Sequence, residues 1–319
     1  MSRYIVTGGA GLIGSVIAEK LIKRGDSVLV LDNISTGNSA NIPLKAEFVE
    51  GDLTDPGTFE SIDPKDVEAV LHLGAQSSGE VSHEDPVHDF DVNARGTLLL
   101  LRWCERCGIR RLLFASSMAV YGPSEGPLSE GRTSSPHSFY GASKIAAEGY
   151  VNLFGRQGGQ PTIFRMFNVY GPGQNIGNLK QGMASIYLAY LIQGEPILVK
   201  GAFNRYRDFV YVDDVADAWL AALHLPASIN GTYNLGSGRK TTVRELLDGL
   251  IRAFEQDPAT YPVVQGDGTP GDILGSIADI SAARRDLCWE PKMELSEGLK
   301  RMVGWAQKKS ANKITRKKK

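Results

Sequence analysis

Cysteine is scarce in this chain of 319 residues, which contains only Cys104, Cys107 and Cys288. Three cysteines do not make the disulfide framework of a small secreted domain. Cys104 and Cys107 form a C-x-x-C pair, but no second pair accompanies them and residues 98–107 have a helical pattern. We therefore interpret both as ordinary helix cysteines, and we predict no metal site.

The sequence also lacks a long apolar run and a marked excess of either charge. No window approaches the roughly 18 apolar residues of a membrane span, and the first residues already have the pattern of a strand. We therefore expect no membrane span, no signal peptide and a cytoplasmic protein. The formal net charge of −1 gives no field that would attract nucleic acid, so we expect no nucleic-acid partner. Residues 307–319 are strongly basic and are predicted to form a disordered tail.

The most informative feature is a glycine-rich stretch between a short strand and an amphipathic helix, Val6-Thr7-Gly8-Gly9-Ala10-Gly11-Leu12-Ile13-Gly14. Gly8 would permit a tight turn, Gly11 the close approach of a pyrophosphate, and Gly14 close packing of the helix on the strand. Free N–H groups at the helix start would favour an anion. The next strand, 27–31, leads to Asp32, whose carboxylate can bind a ribose 2′-hydroxyl. Together these features predict a dinucleotide site. A turn that binds nothing would leave the strand, the helix and Asp32 unexplained.

Strand and helix patterns alternate through the first half of the chain. The predicted strands are 4–6, 27–31, 47–52, 69–73, 111–115 and 161–165, and the main helices are 15–24, 91–107 and 143–154. This order predicts an α/β fold with a doubly wound parallel sheet, the Rossmann arrangement. After residue 167 the elements become shorter and mixed. We therefore predict a Rossmann domain at 1–167, rejoined by 208–236, and a smaller mixed α/β substrate-binding lobe at 168–306.

A second informative stretch is Tyr140-Gly141-Ala142-Ser143-Lys144. A tyrosine and a lysine four residues apart at a helix start lie on one face. A nearby ammonium stabilises the phenolate and lowers the pKa of the tyrosine. Such a tyrosine can remove a proton from a sugar hydroxyl while hydride leaves for nicotinamide. This spacing is common by chance, and its combination with the dinucleotide loop and a strand end at Ser116-Ser117 makes it informative.

The motifs together resemble the extended short-chain dehydrogenases/reductases that act on nucleotide sugars. The similarity runs in order over about two thirds of the chain, as is usual for a family resemblance spread over a whole domain. Its parts are T-G-G-A-G-L-I-G (7–14), D-N (32–33), G-D-L (51–53), H-L-G-A (72–75), Asn93, S-S-M-A-V-Y-G (116–122), Y-G-A-S-K (140–144), R-M-F-N-V-Y-G-P (165–172) and R-D-F-V-Y-V-D-D (207–214).

The resemblance implies NAD as the cofactor and a nucleotide-diphosphate sugar as the substrate. It implies that Tyr140 is the catalytic base, that Lys144 lowers its pKa and holds the nicotinamide ribose, and that Ser117 bonds the substrate O4. The implied cofactor ligands are Gly8, Gly11, Leu12, Ile13, Asp32, Asn33, Asp52, Leu53, Leu73, Ala75 and Asn93, with Asp32 at the adenosine ribose and Asp52-Leu53 at the adenine edge. The implied substrate ligands are Asn168, Asn178, Arg207, Asp272 and Ser276.

Several of these residues also have a purely structural interpretation. Ser117 could merely close a turn, and Asp52 could cap the following segment. Arg205 could replace Arg207 as the arginine that binds the diphosphate, since either would offer a bidentate partner to phosphate. His72 is better explained as a strand-end residue than as an acid or base.

Departures from the family pattern distinguish the possible reactions. The family's 4,6-dehydratases carry an acidic pair directly after the serine position, and its decarboxylases keep a glutamate at the second of these sites. Met118 and Ala119 occupy both sites here and cannot carry a proton. The resemblance therefore implies a 4-epimerase of a UDP-hexose or UDP-N-acetylhexosamine, which oxidises C4 transiently with Tyr140 as base and returns hydride to the opposite face. NAD would be retained rather than consumed.

Two alternatives remain open. A reductase of 4-keto sugar nucleotides would use exchangeable NADPH, but the carboxylate of Asp32 would repel its 2′-phosphate. A nucleotide-sensing regulator on the same fold would not need the Ser117–Tyr140–Lys144 set.

Two further departures concern the substrate. The R-x-G-D of many relatives is replaced by Thr269-Pro270-Gly271-Asp272, so one phosphate-binding arginine is missing. Ser276 stands where a large tyrosine restricts the sugar pocket of some epimerases to plain hexoses, so the small residue would leave room for an N-acetyl group. Relatives also dimerise through helices equivalent to 91–107 and 143–154, and we expect a homodimer.

Overall fold

A computed structural model of the chain describes residues 1–124, 126–268 and 273–317. The strands are β1 (Arg3–Thr7), β2 (Ser27–Asp32), β3 (Glu47–Glu50), β4 (Val67–His72), β5 (Arg111–Ser117), β6 (Gln160–Met166), β7 (Asn168–Tyr170), β8 (Ile197–Lys200), β9 (Tyr206–Arg207), β10 (Phe209–Tyr211), β11 (Gly231–Leu235), β12 (Thr241–Thr242) and β13 (Val263–Gly266). The helices are α1 (Leu12–Lys23), α2 (Pro56–Glu60), α3 (Gly79–Glu84), α4 (Pro86–Phe90), α5 (Gly96–Cys107), α6 (Phe139–Arg156), α7 (Met183–Gln193), α8 (Val212–Leu223), α9 (Val243–Ala253), α10 (Ser281–Leu287) and α11 (Leu295–Lys317).

Seven parallel strands form the central sheet in the order β11-β6-β5-β4-β1-β2-β3. The first six strands of the chain have the doubly wound order, which confirms the predicted α/β fold. The chain winds outward in opposite directions from β1, so the connections diverge between β1 and β4. A crevice opens at such a switch point, beyond the carboxyl ends of the strands.

The strands read as continuous apolar runs because helices cover both faces of the sheet. Within β1, Val6 packs into a core cluster that contains Ile17 of α1 and Trp219 of α8. Its neighbour Ile5 packs into the opposite cluster, with Leu100 of α5 and Val151 of α6. Successive side chains of one strand thus fix α1 and α8 on one side and α5 and α6 on the other.

Three two-stranded ladders, β7–β10, β8–β13 and β9–β12, belong to the second half of the chain, where α7, α9 and α11 build a third apolar cluster. None of β8, β9, β12, β13, α2, α3 and α4 was predicted from the sequence. The chain does return to the first domain, because β11 pairs with β6. The domain boundaries themselves remain a prediction.

The last helix, α11, continues to Lys317, and the predicted disorder of residues 307–319 remains a prediction. Lysine, alanine and arginine are good helix formers, so the helix can extend beyond its buried residues Leu299, Met302 and Ala306. Within the described ranges, no helix combines the length and the apolar character that a membrane crossing requires.

Candidate active site

The glycine-rich turn between β1 and α1 is shaped by close backbone contacts. Gly8 has a φ of +68°, and a Cβ built on it would lie 2.6 Å from the backbone nitrogen of Gly74. A Cβ on Gly14 would lie 2.3 Å from the carbonyl oxygen of Gly8. Gly11 is the N-cap of α1 and provides no side-chain acceptor for the first turn. The N–H groups at the helix start are therefore left for an anion, and the fit to a dinucleotide pyrophosphate is good.

Asp32 ends β2 beside this turn. One carboxylate oxygen, Oδ2, accepts a hydrogen bond of 2.9 Å from the backbone of Ala10, and Oδ1 accepts one of 2.8 Å from the backbone of Ile34. The two bonds hold the carboxylate at the edge of the crevice. An acceptor fixed there suits a ribose 2′-hydroxyl.

Asp52 caps the segment that follows it, and its proposed contact with the adenine edge remains a prediction. Its Oδ1 accepts hydrogen bonds from the backbone N–H and the hydroxyl of Thr54, so it caps the following turn. Its Oδ2 accepts from Asn33 Nδ2 at 2.9 Å. Burial would raise the pKa of Asp52, but these hydrogen bonds outweigh it and leave the pKa lowered. Asp52, Asn33 and Leu53 together border the predicted adenine end of the crevice.

His72 is buried between two threonines at the end of β4. Its Nδ1 lies 2.7 Å from Thr7 Oγ1 and its Nε2 lies 3.0 Å from Thr97 Oγ1. Because Thr97 donates its own proton to the carbonyl of Asn93, it must accept from Nε2. Burial and, to a lesser extent, the positive charge of Lys144 together lower the pKa of His72 to about 3. A neutral, fully bonded imidazole agrees with a structural role.

Tyr140 and Lys144 lie on one face of α6, with Lys144 Nζ 6.0 Å from the centre of the Tyr140 ring. Lys144 Nζ donates to the carbonyl of Ala115 at 3.1 Å. Ser117 ends β5, where its hydroxyl accepts from the backbone of Ala119 and also hydrogen-bonds Tyr140. Ser117 therefore closes a turn and faces the tyrosine at once. The three predicted catalytic residues converge.

The predicted lowering of the Tyr140 pKa by Lys144 is not found in this structure. Burial raises the pKa of Tyr140 to about 12, although the hydrogen bond with Ser117 acts in the opposite direction. Burial also lowers the pKa of Lys144 to about 8. Both shifts have the same physical cause, because burial penalises the phenolate and the ammonium alike.

A single cavity of about 880 Å³ connects the glycine turn, the adenine end and Tyr140. The predicted residues on its wall are Gly8, Gly11, Leu12, Ile13, Asp32, Asn33, Asp52, Leu53, Leu73, Ala75, Ser117, Tyr140, Lys144, Asn168 and Asn178. Met118 and Ala119 also line it, as do Gln76, Ser78 and Lys180, which the sequence did not single out.

Other predicted ligands lie elsewhere or outside the described residues. Asn93 is buried and donates to Asp89 and Ser143 rather than lining the cavity. Arg207 is buried too, and Arg205 lies on the wall in its place. Ser276 is 1% exposed and is not on the wall, and its hydroxyl has no hydrogen-bond partner among the described residues. Asp272 and Thr269 fall outside the described residues.

Two hydrogen bonds join the second lobe to the first beside the cavity. Asn41 Nδ2 donates to the carbonyl of Gly173 at 2.9 Å, and Asn175 Nδ2 donates to the carbonyl of Thr36 at 3.2 Å. These bonds join the loop after β2 to the segment after β7, close to the glycine turn. They cover the region where a pyrophosphate would lie.

Comparisons with known proteins agree with this geometry. Residues 4–236 match the model of the NAD dependent epimerase/dehydratase family. The chain belongs to this family. A UDP-glucose 4-epimerase of Mycolicibacterium smegmatis is 33% identical over 318 residues, which cover 97% of this chain and 99% of that protein.

Two solved structures of this family are also similar. One is a UDP-glucose 4-epimerase of Thermotoga maritima with UDP-glucose, with a TM-score of 0.91, 35% identity and coverage of 97% of this chain and 99% of that one. The other is a Thermus thermophilus UDP-glucose 4-epimerase in complex with NAD, with a TM-score of 0.89, 36% identity and coverage of 96% and 99%. NAD is thus the cofactor of this family member, and the turn at 8–14 with Asp32 is the part of the chain that fits it.

Among the described residues, no group of three or more His, Cys, Asp or Glu side chains is placed to hold a metal ion.

Proposed function

We propose that this family member is an NAD-dependent nucleotide-sugar 4-epimerase that acts on a UDP-hexose or a UDP-N-acetylhexosamine. One observation carries the proposal. Ser117 and Tyr140 supply one acid–base pair at the cavity, and the next two residues on the wall, Met118 and Ala119, cannot carry a proton. A dehydratase or a decarboxylase of the type described above would need an acid at one of those positions.

The side chains suggest the following division of work. Tyr140 removes the proton from the C4 hydroxyl of the sugar and later gives it back, while Ser117 bonds the same oxygen. Lys144, anchored on Ala115, keeps a positive charge beside the phenolate and offers donors to the nicotinamide ribose. Bound NAD would supply the hydride exchange at C4 and, in its oxidised form, a positive charge near Tyr140 that opposes the effect of burial on the pKa.

The diphosphate is proposed to bind between Asn178 and the arginine pair Arg205 and Arg207. Burial and, to a lesser extent, the positive charge of Arg205 together lower the pKa of Arg207 to about 10. Because the two guanidinium charges repel each other, an anion beside them would be stabilised. Because a threonine stands at position 269, where many relatives have an arginine, the binding of the diphosphate would depend more on Arg205 and Arg207. The proposed contact of Ser276 with the sugar remains a prediction.

A homodimer through α5 and α6 is also proposed. Ala142, Ala146, Gly149 and Leu153 form a line along one face of α6. Leu153 is 49% exposed, and a Cβ built on Gly149 would meet no described atom within 4 Å apart from its chain neighbours and the nearby backbone of α6. A flat face of small residues allows two helices to approach closely. Sedimentation of the protein at micromolar concentration tests this point.

The decisive experiment is to incubate the purified protein with UDP-glucose, UDP-galactose and their N-acetyl counterparts, and to follow inversion at C4 by NMR. The Tyr140→Phe variant should retain its fold and its NAD and lose about 10²- to 10⁴-fold in turnover, the usual contribution of a positioned acid–base group. Turnover that survives in Tyr140→Phe would exclude Tyr140 as the base. Exchangeable NADPH in place of retained NAD would favour the keto-sugar reductase.

A further inference from the structure

Asp89, in α4, is a buried carboxylate that the mechanism above does not use. It is 1% exposed, and its hydrogen-bond donors are three neutral side chains. Its Oδ1 accepts from Gln76 Nε2 at 2.7 Å and from Asn93 Nδ2 at 3.1 Å, and its Oδ2 accepts from Ser143 Oγ at 2.5 Å. A buried charge is costly unless it is well paired and hydrogen-bonded. This cost suggests that the Asp89 carboxylate has a function at its position.

The three partners of Asp89 connect different parts of the active site. Ser143 lies on α6 directly before Lys144. Gln76 lines the cavity, and its amide also bonds the backbone of Ser78 in both directions, at 2.5 and 2.9 Å. Ser78 in turn donates its hydroxyl proton to the carbonyl of Lys180 in the second lobe at 2.6 Å. A continuous series of hydrogen bonds therefore runs from the catalytic helix through Asp89 to the opposite wall of the cavity.

Asp89 also acts on the two catalytic side chains through its charge. It raises the pKa of Tyr140 and the pKa of Lys144. Asp89 raises the pKa of Lys144 more than Glu148 does. Glu148 forms its own ion pair with Arg165 at 2.7 Å, which balances much of its charge. His72, the other titratable group that faces Lys144, is neutral.

We propose that Asp89 is a positioning residue whose buried carboxylate fixes the start of α6 against the cavity wall and sets the negative charge that both Tyr140 and Lys144 experience. This inference rests on the 4-epimerase function proposed above. The carboxylate keeps Lys144 protonated in a site that would otherwise favour its neutral form. It also adds to the effect of burial, which is the main cause of the raised pKa of Tyr140.

The test is Asp89→Asn, which preserves the size of the side chain and removes its charge. The holoenzyme should lose roughly 10- to 100-fold in kcat, the range expected from misplaced catalytic groups, with little change in KM. Both limbs of the pH profile of kcat/KM should move to lower pH by about 1 unit, because a neighbouring negative charge raises both pKa values. A profile that superimposes on that of the wild type would overturn the proposal.

Asp214→Asn is the matched control. Asp214 is also buried, and its Oδ2 accepts from the backbones of Lys292 and Met293, remote from the cavity wall. This variant should lose thermal stability without a shift of the pH profile. A shift equal to that of Asp89→Asn would mean that general destabilisation moves the profile, and would refute the special role of Asp89.

Two further measurements keep the inference separate from folding and from the proposed reaction. If Asp89→Asn does not fold, Ser143→Ala is used instead, because it removes one hydrogen-bond partner of Asp89 and leaves the charge. In Ser143→Ala, kcat should fall and the pH profile of kcat/KM should not shift. An unchanged kcat would overturn the proposal. If the wild type inverts no sugar at C4, the proposed function fails. The ionisation of Tyr140 is then followed by tyrosinate absorbance, with Tyr140→Phe as the blank. It should occur at lower pH without the Asp89 carboxylate, and an unchanged ionisation would overturn the proposal.

Discussion

Replacement of Gly14 by alanine should weaken NAD binding more than it weakens the fold. The new Cβ would lie 2.3 Å from the carbonyl oxygen of Gly8 and 2.9 Å from the Cα of Gly9. Both neighbours are backbone atoms of the turn, so the turn itself must shift. Overpacking of this kind costs about 1–3 kcal/mol. Since about 1.4 kcal/mol corresponds to a tenfold change in Kd, the affinity for NAD should fall roughly 10- to 100-fold.

The same substitution removes a glycine from a helix, which stabilises helices by about 1 kcal/mol, so the melting temperature of the cofactor-free protein should change little. Calorimetric titration of protein stripped of NAD measures the affinity, and thermal melts measure the fold. Gly304→Ala is the control, because Gly304 lies in α11 and a Cβ there would meet no described atom within 4 Å apart from its chain neighbours and the nearby backbone of its own helix. An affinity of Gly14→Ala within twofold of the wild type would refute the assignment of this turn to the pyrophosphate.

Three other predictions follow from single side chains. Asp32→Ala should weaken NAD binding about 10- to 100-fold, as expected for lost hydrogen bonds to a charged group, and should reduce discrimination against NADP; a wild type that prefers NADP would contradict the assignment. Lys144→Met should raise the melting temperature of the cofactor-free protein at pH 7. Burial lowers the pKa of Lys144 from 10.5 to about 8, so below pH 8 the buried charge reduces the free energy of unfolding by up to about 3 kcal/mol. This advantage should disappear as the pH rises toward 10.5, and a difference that stays constant from pH 7 to 10.5 would contradict the cause. Ser276→Tyr should lower the ratio of kcat/KM for UDP-N-acetylglucosamine to that for UDP-glucose by about 10- to 100-fold if overpacking reaches the sugar, whereas an unchanged ratio with a lower melting temperature would place Ser276 outside the sugar pocket.

The first domain was largely predictable because its signals are local. Strands such as β1 and β4 are short apolar runs, each followed by a glycine or a polar residue that marks the strand end. The second lobe was harder. In β8, Ile197 and Val199 are buried while Leu198 and Lys200 are exposed, but four alternating residues are a weak signal. The partner strand, β13, begins only at Val263.

The site shows the same limit. The sequence predicted that Tyr140, Lys144, Ser117 and Asp32 belong to one site, because their spacing and their positions at element ends are visible in it, and the structure places all four on one cavity. Asp89 was missed, since it belongs to no motif and gains its partners only when α4, α6 and the segment after β4 meet. The pKa of Tyr140 was predicted in the wrong direction because the sequence shows the nearby lysine and not the burial of both groups.

The pairing of β11 with β6 has a consequence for how the protein is made. All residues between Met166 and Gly231 leave the ribosome before β11 can pair with β6. At about 5–20 residues per second, the edge of β6 stays uncovered for several seconds in the nascent chain. Open strand edges pair readily with other chains. We therefore expect that fragments ending before residue 231 aggregate, and that extension through Leu235 restores solubility.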